Sequence, residues 1–233
     1  YNPMLVPVAG SCFLPTAGQT QQASFEAAHL PGAVPFDIDA AADPASDLPH
    51  MLPGAERFAE YVGGLGIGDD HWLLVYDANG MRSAPRVWWT FRVFGFDRVT
   101  VIDGGLPAWR AAGLPVESGP PAPRRPERFH ATLRPELVAD HDAIRRVLAD
   151  GSAQMVDARP AARFRGEAPE PRPGCRSGHA PGSVNLPFGE LLDPATGCLK
   201  DEAGLRHALE RHGVDSERPI VSSCGSGVTA CVL

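Results

Sequence analysis

The sequence lacks the features that mark several common classes of protein. Basic residues are not in excess, since 21 Lys and Arg stand against 28 Asp and Glu for a formal net charge of −7, and broad nucleic-acid binding needs a basic face. No apolar run approaches the roughly 18 residues of a membrane-spanning helix. The opening residues, YNPMLVPVAG, lack the charged start and long apolar core of a secretion signal. These absences predict a protein that binds neither nucleic acid nor membranes.

Paired cysteines are absent as well. The five cysteines are widely spaced along the sequence: Cys12, Cys175, Cys198, Cys224 and Cys231. Their odd number and the lack of any C-x-x-C pair argue against a disulfide framework and against a structural zinc site. We therefore expect free thiols in a reducing, cytoplasmic compartment, and neither a metal nor another cofactor.

Two pairs of segments resemble each other at an offset of about 150 residues, which indicates an internal repeat. The first pair is HLPGAVPF, which begins at His29, and HAPGSVNLPF, which begins at His179. The second pair is LLVYD at 73–77 and IVSSC at 220–224, two short apolar runs that each end at a polar residue. Chance could produce either match, but two matches at nearly one offset favour a repeated domain.

Strands and helices alternate within each copy, which is typical of a parallel sheet in an α/β fold. Predicted strands lie at 73–77, 99–103 and 153–157, and predicted helices at 55–62, 137–150 and 202–211. We predict two tandem domains, each a parallel sheet flanked by helices, at 1–118 and 135–233, with a proline-rich linker at 119–134. The first copy continues well past Asp77, whereas the sequence ends soon after Cys224, and the second copy has a helix-length segment before its first strand that the first copy lacks. We therefore expect a fragment, shortened at both ends.

The segment CGSGVTACVL, which begins at Cys224 after a predicted strand, is typical of a nucleophilic cysteine. Gly225 and Gly227 leave the backbone free to turn its N–H groups inward around an anion, and a helix beginning near Val228 would add its positive end. Two hydroxyl groups add further donors: those of Ser226 and Thr229. A cysteine among these donors is expected to have a depressed pKa and to be a thiolate near neutrality.

Cysteine phosphatases use a similar loop, but they hold the phosphate with an arginine six residues after the cysteine. Here that position is Ala230, and no histidine directly precedes Cys224. The loop is therefore suited to a smaller anion, such as the terminal sulfur of a persulfide.

The CGSGVTA loop, with HAPGSVNLPF and RFRGEAPEPRPG before it, resembles the two-domain rhodanese-like sulfurtransferases. The first copy is similar to them in FEAAHLPGAVPFDID, DLPHMLPGAERFAEYVGGLGI, SAPRVWW and VIDGG. Within that family, CGSGV resembles the 3-mercaptopyruvate type, whereas the thiosulfate-specific type carries basic residues after the cysteine. The resemblance spans nearly the whole sequence, and it implies that the first domain has no catalytic role, since Asp77 stands where the second copy has Cys224.

The resemblance implies a two-step transfer of sulfur. Cys224 would take sulfur from 3-mercaptopyruvate as a persulfide, release pyruvate, and pass the sulfur to a thiol, to thioredoxin or to cyanide. The family's motifs place Arg163 and Arg172 on the substrate's carboxylate and keto oxygens, a task for which guanidinium groups are suited. They place Ser226 and His29 in a proton relay with the cysteine. The remaining residues expected to bind substrate are those of the loop: Gly225, Gly227, Val228 and Thr229.

Several alternatives stay open. The family's Arg-Asp pair before the first-domain histidine is replaced by Gln19 and Thr20, so an acid to orient His29 is missing, and this histidine could simply fix its turn. A thiosulfate:cyanide sulfurtransferase and a non-catalytic rhodanese-like binding module are the competing functions. Of the other cysteines, we expect Cys12 and Cys198 to be inert and Cys231 to pack in the core. Cys175 is a candidate regulatory thiol.

Overall fold

Short strands and helices alternate along the chain. The computed structural model describes residues 2, 4–172 and 174–233. The strands are β1 (Leu5–Ala9), β2 (Val34–Pro35), β3 (Trp72–Tyr76), β4 (Val99–Val101), β5 (Gln154–Asp157), β6 (Val184–Asn185) and β7 (Ile220–Ser223). The α-helices are α1 (Gln21–Ala27), α2 (Ala55–Gly64), α3 (Ala84–Val93), α4 (Gly105–Ala111), α5 (His141–Asp150), α6 (Ala161–Phe164) and α7 (Glu202–Arg211). Short 3-10 helices lie at Pro15–Ala17, Pro135–Leu137, Phe188–Leu191 and Thr229–Val232.

The strands form two separate parallel sheets. The first has the order β2-β1-β3-β4, and the second has the order β6-β5-β7. All neighbouring strands in both sheets are parallel. The order β2-β1-β3 in the first unit corresponds to β6-β5-β7 in the second. The predicted fold class, α/β with a parallel sheet in each copy of the repeat, is confirmed.

Equivalent strands carry the two residues that the repeat aligned. Parallel strands bring their carboxyl ends to one edge of a sheet, where sites are usually built. Asp77 directly follows β3 and Cys224 directly follows β7, each at that edge. The two side chains therefore occupy matching places in the two units.

An aromatic core fixes the position of α3 in the first unit. Phe36, Phe58, Phe91 and Phe94 are almost completely buried. The Phe58 ring stacks on Phe94 with centroids 4.3 Å apart and meets Phe91 edge-on at 5.4 Å, and such buried rings dominate core energetics. Helix α3 also contacts the 3-10 helix Thr229–Val232 of the second unit. The core of the first unit thus supports the segment that follows Cys224.

The observed elements differ from the predicted ones mainly at their ends. Helix α7 has the predicted bounds, and its start is capped by Asp201, which accepts a hydrogen bond from the N–H of Gly204. Strand β4 ends at Val101, earlier than predicted. Helix α5 begins only at His141, because Asp140 accepts the N–H of a first-turn residue and caps the helix there.

The segment predicted as a linker runs along the first unit. The N–H of Glu127 donates to the carbonyl of Gly63 at 2.9 Å, and the N–H of Thr132 donates to the carbonyl of Phe94 at 3.0 Å. Phe129, within the same segment, is buried in the aromatic core. The domain bounds 1–118 and 135–233 stay a prediction. Within the described residues, no helix has both the length and the apolar character needed to cross a bilayer.

Candidate active site

The candidate nucleophile lies at the carboxyl edge of the second sheet. Strand β7 ends at Ser223, and Cys224 begins a loop in which Gly227 has a φ of +70°, a left-handed conformation that glycine adopts without strain. The 3-10 helix Thr229–Val232 follows. A helix begins near Val228, as predicted, and over the described residues it is a 3-10 helix. The N–H groups of the loop and of this first turn lie around the sulfur.

The donors around Cys224 decide the ionisation of its thiol. They are the backbone N–H groups of Ser226, Val228 and Ala230 and the hydroxyl of Thr229. Burial by itself raises the pKa of Cys224, but the donors outweigh it, and the pKa lies below the ordinary value of a thiol. A thiolate at this position is both a strong nucleophile and the centre of a ready-made anion site.

A cleft of about 70 Å³ lies beside Cys224, between the two units. The predicted site residues that line it are Arg163, Arg172, Cys224, Gly225, Ser226, Val228 and Thr229. The other residues that line it are Cys12, Phe13, Leu14, His50, Arg82 and Pro171. Gly227, also predicted to bind substrate, belongs to the same loop but does not line the cleft. Three arginines around one small opening suit a small anionic molecule.

Arg163 is held against the loop by a buried carboxylate. Its guanidinium pairs with Glu170, whose other partner is Arg159 at 2.8 Å. The Arg163 partner lowers the pKa of Glu170, which keeps it ionised. A Cβ added at Gly225 would approach the Arg163 Nη2 to 2.6 Å. The glycine therefore leaves the space that the guanidinium occupies beside Cys224.

Arg172 meets a histidine from the first unit. Its Nη2 donates to the Nε2 of His50 at 3.0 Å. The Nδ1 of His50 lies 2.9 Å from a carboxylate oxygen of Asp39, although its N–H is not aligned for a hydrogen bond. Burial lowers the pKa of His50 despite that carboxylate. His50 is thus a neutral base in the cleft, with Nε2 as the acceptor nitrogen.

The backbone of His50 is also unusual. Its φ is +59°, in the left-handed region that side chains other than glycine rarely adopt. Conformations of this kind persist only where surrounding contacts hold them, and they cluster at functional sites. The carbonyl of His50 accepts a hydrogen bond from Arg86, which supplies such a contact.

His29 does not reach this cleft, contrary to the predicted catalytic role. Its ring is buried and stacks on Phe25 with centroids 4.0 Å apart. Its Nδ1 lies 2.9 Å from the carbonyl of Phe25, and its Nε2 lies 3.8 Å from Glu117. His179 stacks on Phe164 in the same way in the second unit. The turn-fixing alternative accounts for both histidines.

Sequence reasoning also missed the first unit's contribution to the cleft. His50 and Arg82 lie in the loops after β2 and β3, and Cys12 lies in the loop after β1. These are the loops at the carboxyl edge of a parallel sheet, where ligands bind. The position of these residues just after strands of a parallel sheet is the signal in the sequence that could have found them. Cys12, expected to be inert, faces the same opening as Cys224, and the first unit is part of the site although it lacks the nucleophile.

Comparisons with known proteins point to one family. The family model described as "Rhodanese-like domain" matches residues 19–112. The human protein named 3-mercaptopyruvate sulfurtransferase is 46% identical, over 95% of this chain and 74% of that protein. The protein of the same name from Escherichia coli strain K12 is also 46% identical, over 88% and 72% respectively. The crystal structure of the 3-mercaptopyruvate sulfotransferase SseA from Escherichia coli has a TM-score of 0.89 at 38% identity, covering 99% of this chain and 86% of that one. The chain therefore belongs to the 3-mercaptopyruvate sulfurtransferase family of rhodanese-like proteins.

Proposed function

We propose that the chain transfers sulfur from 3-mercaptopyruvate to an acceptor through a persulfide on Cys224. The observation that carries this proposal is the pairing, in one small cleft, of a thiol whose pKa is lowered with two arginines. The names of its relatives give the donor. A reactive thiolate supplies the nucleophile, and the arginines supply the recognition that an α-keto acid needs.

The first half-reaction forms the persulfide. The Cys224 thiolate attacks the sulfur of 3-mercaptopyruvate, and the carbon–sulfur bond breaks with its electron pair left on carbon as the enolate of pyruvate. One proton converts the enolate to pyruvate. The sulfur remains on the protein as Cys224–S–SH, and the proton of its outer S–H is the one that passes to the enolate. The N–H groups of Ser226 and Val228 that stabilise the thiolate can then stabilise the anionic outer sulfur that is left.

The arginines would hold the donor in the orientation that this attack needs. Arg163 lies beside Gly225 and Arg172 lies beside His50, so the two guanidinium groups approach the opening from different sides. A carboxylate and an adjacent keto oxygen can each accept from a guanidinium fork. Ser226 and His50 both line the cleft, and either can carry the proton that the enolate takes up.

The second half-reaction removes the outer sulfur. An acceptor thiolate or cyanide attacks that sulfur, the sulfur–sulfur bond breaks, and the Cys224 thiolate leaves with the electron pair. A lowered pKa makes this thiolate a good leaving group. We propose small thiols, thioredoxin and cyanide as acceptors. A reducing compartment such as the cytoplasm is supported by the five cysteines, all of which are free thiols.

Intact-mass measurement and steady-state rates test the donor. Treatment with 3-mercaptopyruvate is expected to add one sulfur, about 32 Da, at Cys224, as a covalent intermediate requires. The ratio kcat/KM is expected to be at least about tenfold larger for 3-mercaptopyruvate than for thiosulfate, because the loop offers no cationic side chain after Cys224 to bind the extra charge of the thiosulfate dianion.

Two outcomes would contradict the proposal in different ways. A larger kcat/KM with thiosulfate would instead support a thiosulfate:cyanide sulfurtransferase. The absence of any sulfur adduct with either donor, on folded protein, would support a non-catalytic binding module.

Gly225→Ala tests the placement of Arg163. The added Cβ would come within 2.6 Å of the Arg163 Nη2, so the guanidinium must move away from the loop while the fold remains. The KM for 3-mercaptopyruvate is expected to rise about tenfold, the size of one lost hydrogen bond to a charged group, with little change in Tm. Gly189→Ala is the matched control, since a Cβ there meets open space. An unchanged KM in Gly225→Ala would remove Arg163 from the substrate site.

A further inference from the structure

Arg86 reaches from helix α3 of the first unit to the loop that carries Cys224. Its Nη1 donates to the carbonyl of Gly227 at 2.9 Å, and its Nη2 donates to the carbonyl of His50 at 2.5 Å. The side chain is buried, with 6% of its surface exposed, and its guanidinium lies 4.8 Å from the ring centre of Trp89. One buried cation thus joins the two segments that line the cleft from opposite sides.

The hydrogen bond to Gly227 bears directly on the sulfur. The carbonyl of Gly227 and the N–H of Val228 belong to the same planar trans peptide, so they point in opposite directions. Arg86 binds the carbonyl on one side, and on the other side the N–H faces Cys224 and helps to lower the pKa of its thiol. The thiol of Cys231 lies 3.4 Å from the same carbonyl and donates to it as well. Rotation of this peptide would break the bonds to the carbonyl and remove a donor from the sulfur.

The charge of Arg86 has an unusual set of neighbours. Burial lowers its pKa, and the groups that most oppose this shift are all thiols: Cys231, Cys224 and Cys12. Among the described residues its Nε has no hydrogen-bond acceptor. Burial raises the pKa of Cys231 to about 12 and also raises that of Cys12. Cys224 is the one of the three whose pKa is lowered, so its anion is the counter-charge available to the guanidinium.

We propose that Arg86 is a positioning residue for sulfur transfer, which holds the Gly227–Val228 peptide with its N–H toward Cys224 and places a buried cation beside the anionic sulfur. The first unit then contributes to the chemistry from a residue that does not touch substrate. The kinetic part of this inference rests on the proposed function, whereas its effect on the thiol does not.

Other charged groups also face Cys224, and the experiment must separate them from Arg86. His50, Arg82, Arg163 and Arg172 line the cleft on the substrate side, together with the thiol of Cys12. Arg86 and Cys231 lie on the other side of the loop, at the Gly227 carbonyl. Substitution of Arg86 keeps every charged side chain of the substrate side, but it also removes the hydrogen bond to the carbonyl of His50. Cys231→Ala, which removes only a donor to the Gly227 carbonyl, separates the effect on the loop from the effect on His50.

The test compares Arg86→Met and Arg86→Lys with Arg92→Met. Arg92 is a matched control because it lies on the same helix, over Trp88 at 5.7 Å, but is half-exposed and pairs with Asp97. The rate of alkylation of Cys224 by iodoacetamide is followed against pH by peptide mass spectrometry. We expect Arg86→Met to move the midpoint upward by about one pH unit and to lower kcat about tenfold with a smaller change in KM, as the loss of one hydrogen bond around a charged sulfur predicts. Arg86→Lys keeps the positive charge but loses the paired N–H donors of the guanidinium, so its midpoint and its kcat should lie between those of the wild type and of Arg86→Met.

A folded Arg86→Met protein with the wild-type midpoint and kcat would overturn the proposal. If that variant does not fold, Arg86→Lys and Cys231→Ala answer the same question, because the latter removes the second donor to the Gly227 carbonyl without removing the buried charge. Midpoints unchanged in both variants would also overturn it. Failure of the proposed function is separate: wild-type protein would then form no persulfide, while the alkylation midpoint would still depend on Arg86.

Discussion

Cys224→Ser is expected to abolish sulfur transfer, with kcat lowered by at least about 10⁴-fold, as for other essential nucleophiles. The donors around the sulfur hold the pKa of the Cys224 thiol below its ordinary value and so favour the thiolate, whereas a serine hydroxyl in the same place stays protonated. An oxygen at this position also cannot form the sulfur–sulfur bond that stores the transferred atom. The variant should still fold, because an oxygen occupies less space than the sulfur and can use the same N–H groups.

Steady-state rates and intact mass after donor treatment measure the effect. Cys175→Ser is the matched control, since this thiol is also free but exposed and does not line the cleft. The wild-type rate should fall as the pH drops through the lowered pKa of Cys224, because protonation removes the thiolate. A sulfur adduct that survives in Cys224→Ser and disappears in Cys175→Ser would show that Cys175, and not Cys224, is the nucleophile.

The fold class was accessible from the sequence because its signals are local and repeated. The two H-x-P-G turns at His29 and His179 and the paired apolar runs before Asp77 and Cys224 mark equivalent points of two similar sheets. Helix α7 could be placed to the residue, since Asp201 caps its start by a local hydrogen bond. Strand ends were less accessible, because pairing with a neighbouring strand decides where a strand stops.

The site was accessible only in part, for a physical reason. Cys224, Ser226 and Thr229 lie in one loop, so their association is local, and the two arginines came from the family motif. The choice of histidine depended on contacts between distant segments. His29 has the more conspicuous motif, but its ring is buried against Phe25, whereas His50 reaches the cleft through a left-handed backbone that no pattern of residue types predicts.

The largest effect on stability is expected at Asp77, the counterpart of Cys224 in the first unit. Its side chain is completely buried. One carboxylate oxygen accepts from the N–H of Asn79 at 2.8 Å, and the other accepts from the N–H groups of Arg82, Ser83 and Ala84 at 3.0, 2.7 and 2.8 Å. The first unit therefore gathers backbone donors around an anion at the same place as the second, but there the anion is its own carboxylate. The Asp77 carboxylate therefore caps the turn that follows it.

Asp77→Ala would leave these backbone donors unpaired, two of them deeply buried, and each unpaired group costs about 1–3 kcal/mol. We expect a loss of about 4 kcal/mol in the free energy of unfolding, and Asp77→Asn should lose less because its amide keeps one acceptor oxygen. The measurement is denaturant unfolding followed by circular dichroism.

Asp103→Ala is the matched control: this exposed aspartate follows β4 and accepts one hydrogen bond, from Leu199, so its loss should cost about 1 kcal/mol or less. Because the Asp77 loop leads into α3, Asp77→Ala should also loosen Arg86 and raise the alkylation midpoint of Cys224. Equal stability of the two alanine variants would show that water replaces the carboxylate at no cost, and that the donors after β3 do not need an internal anion.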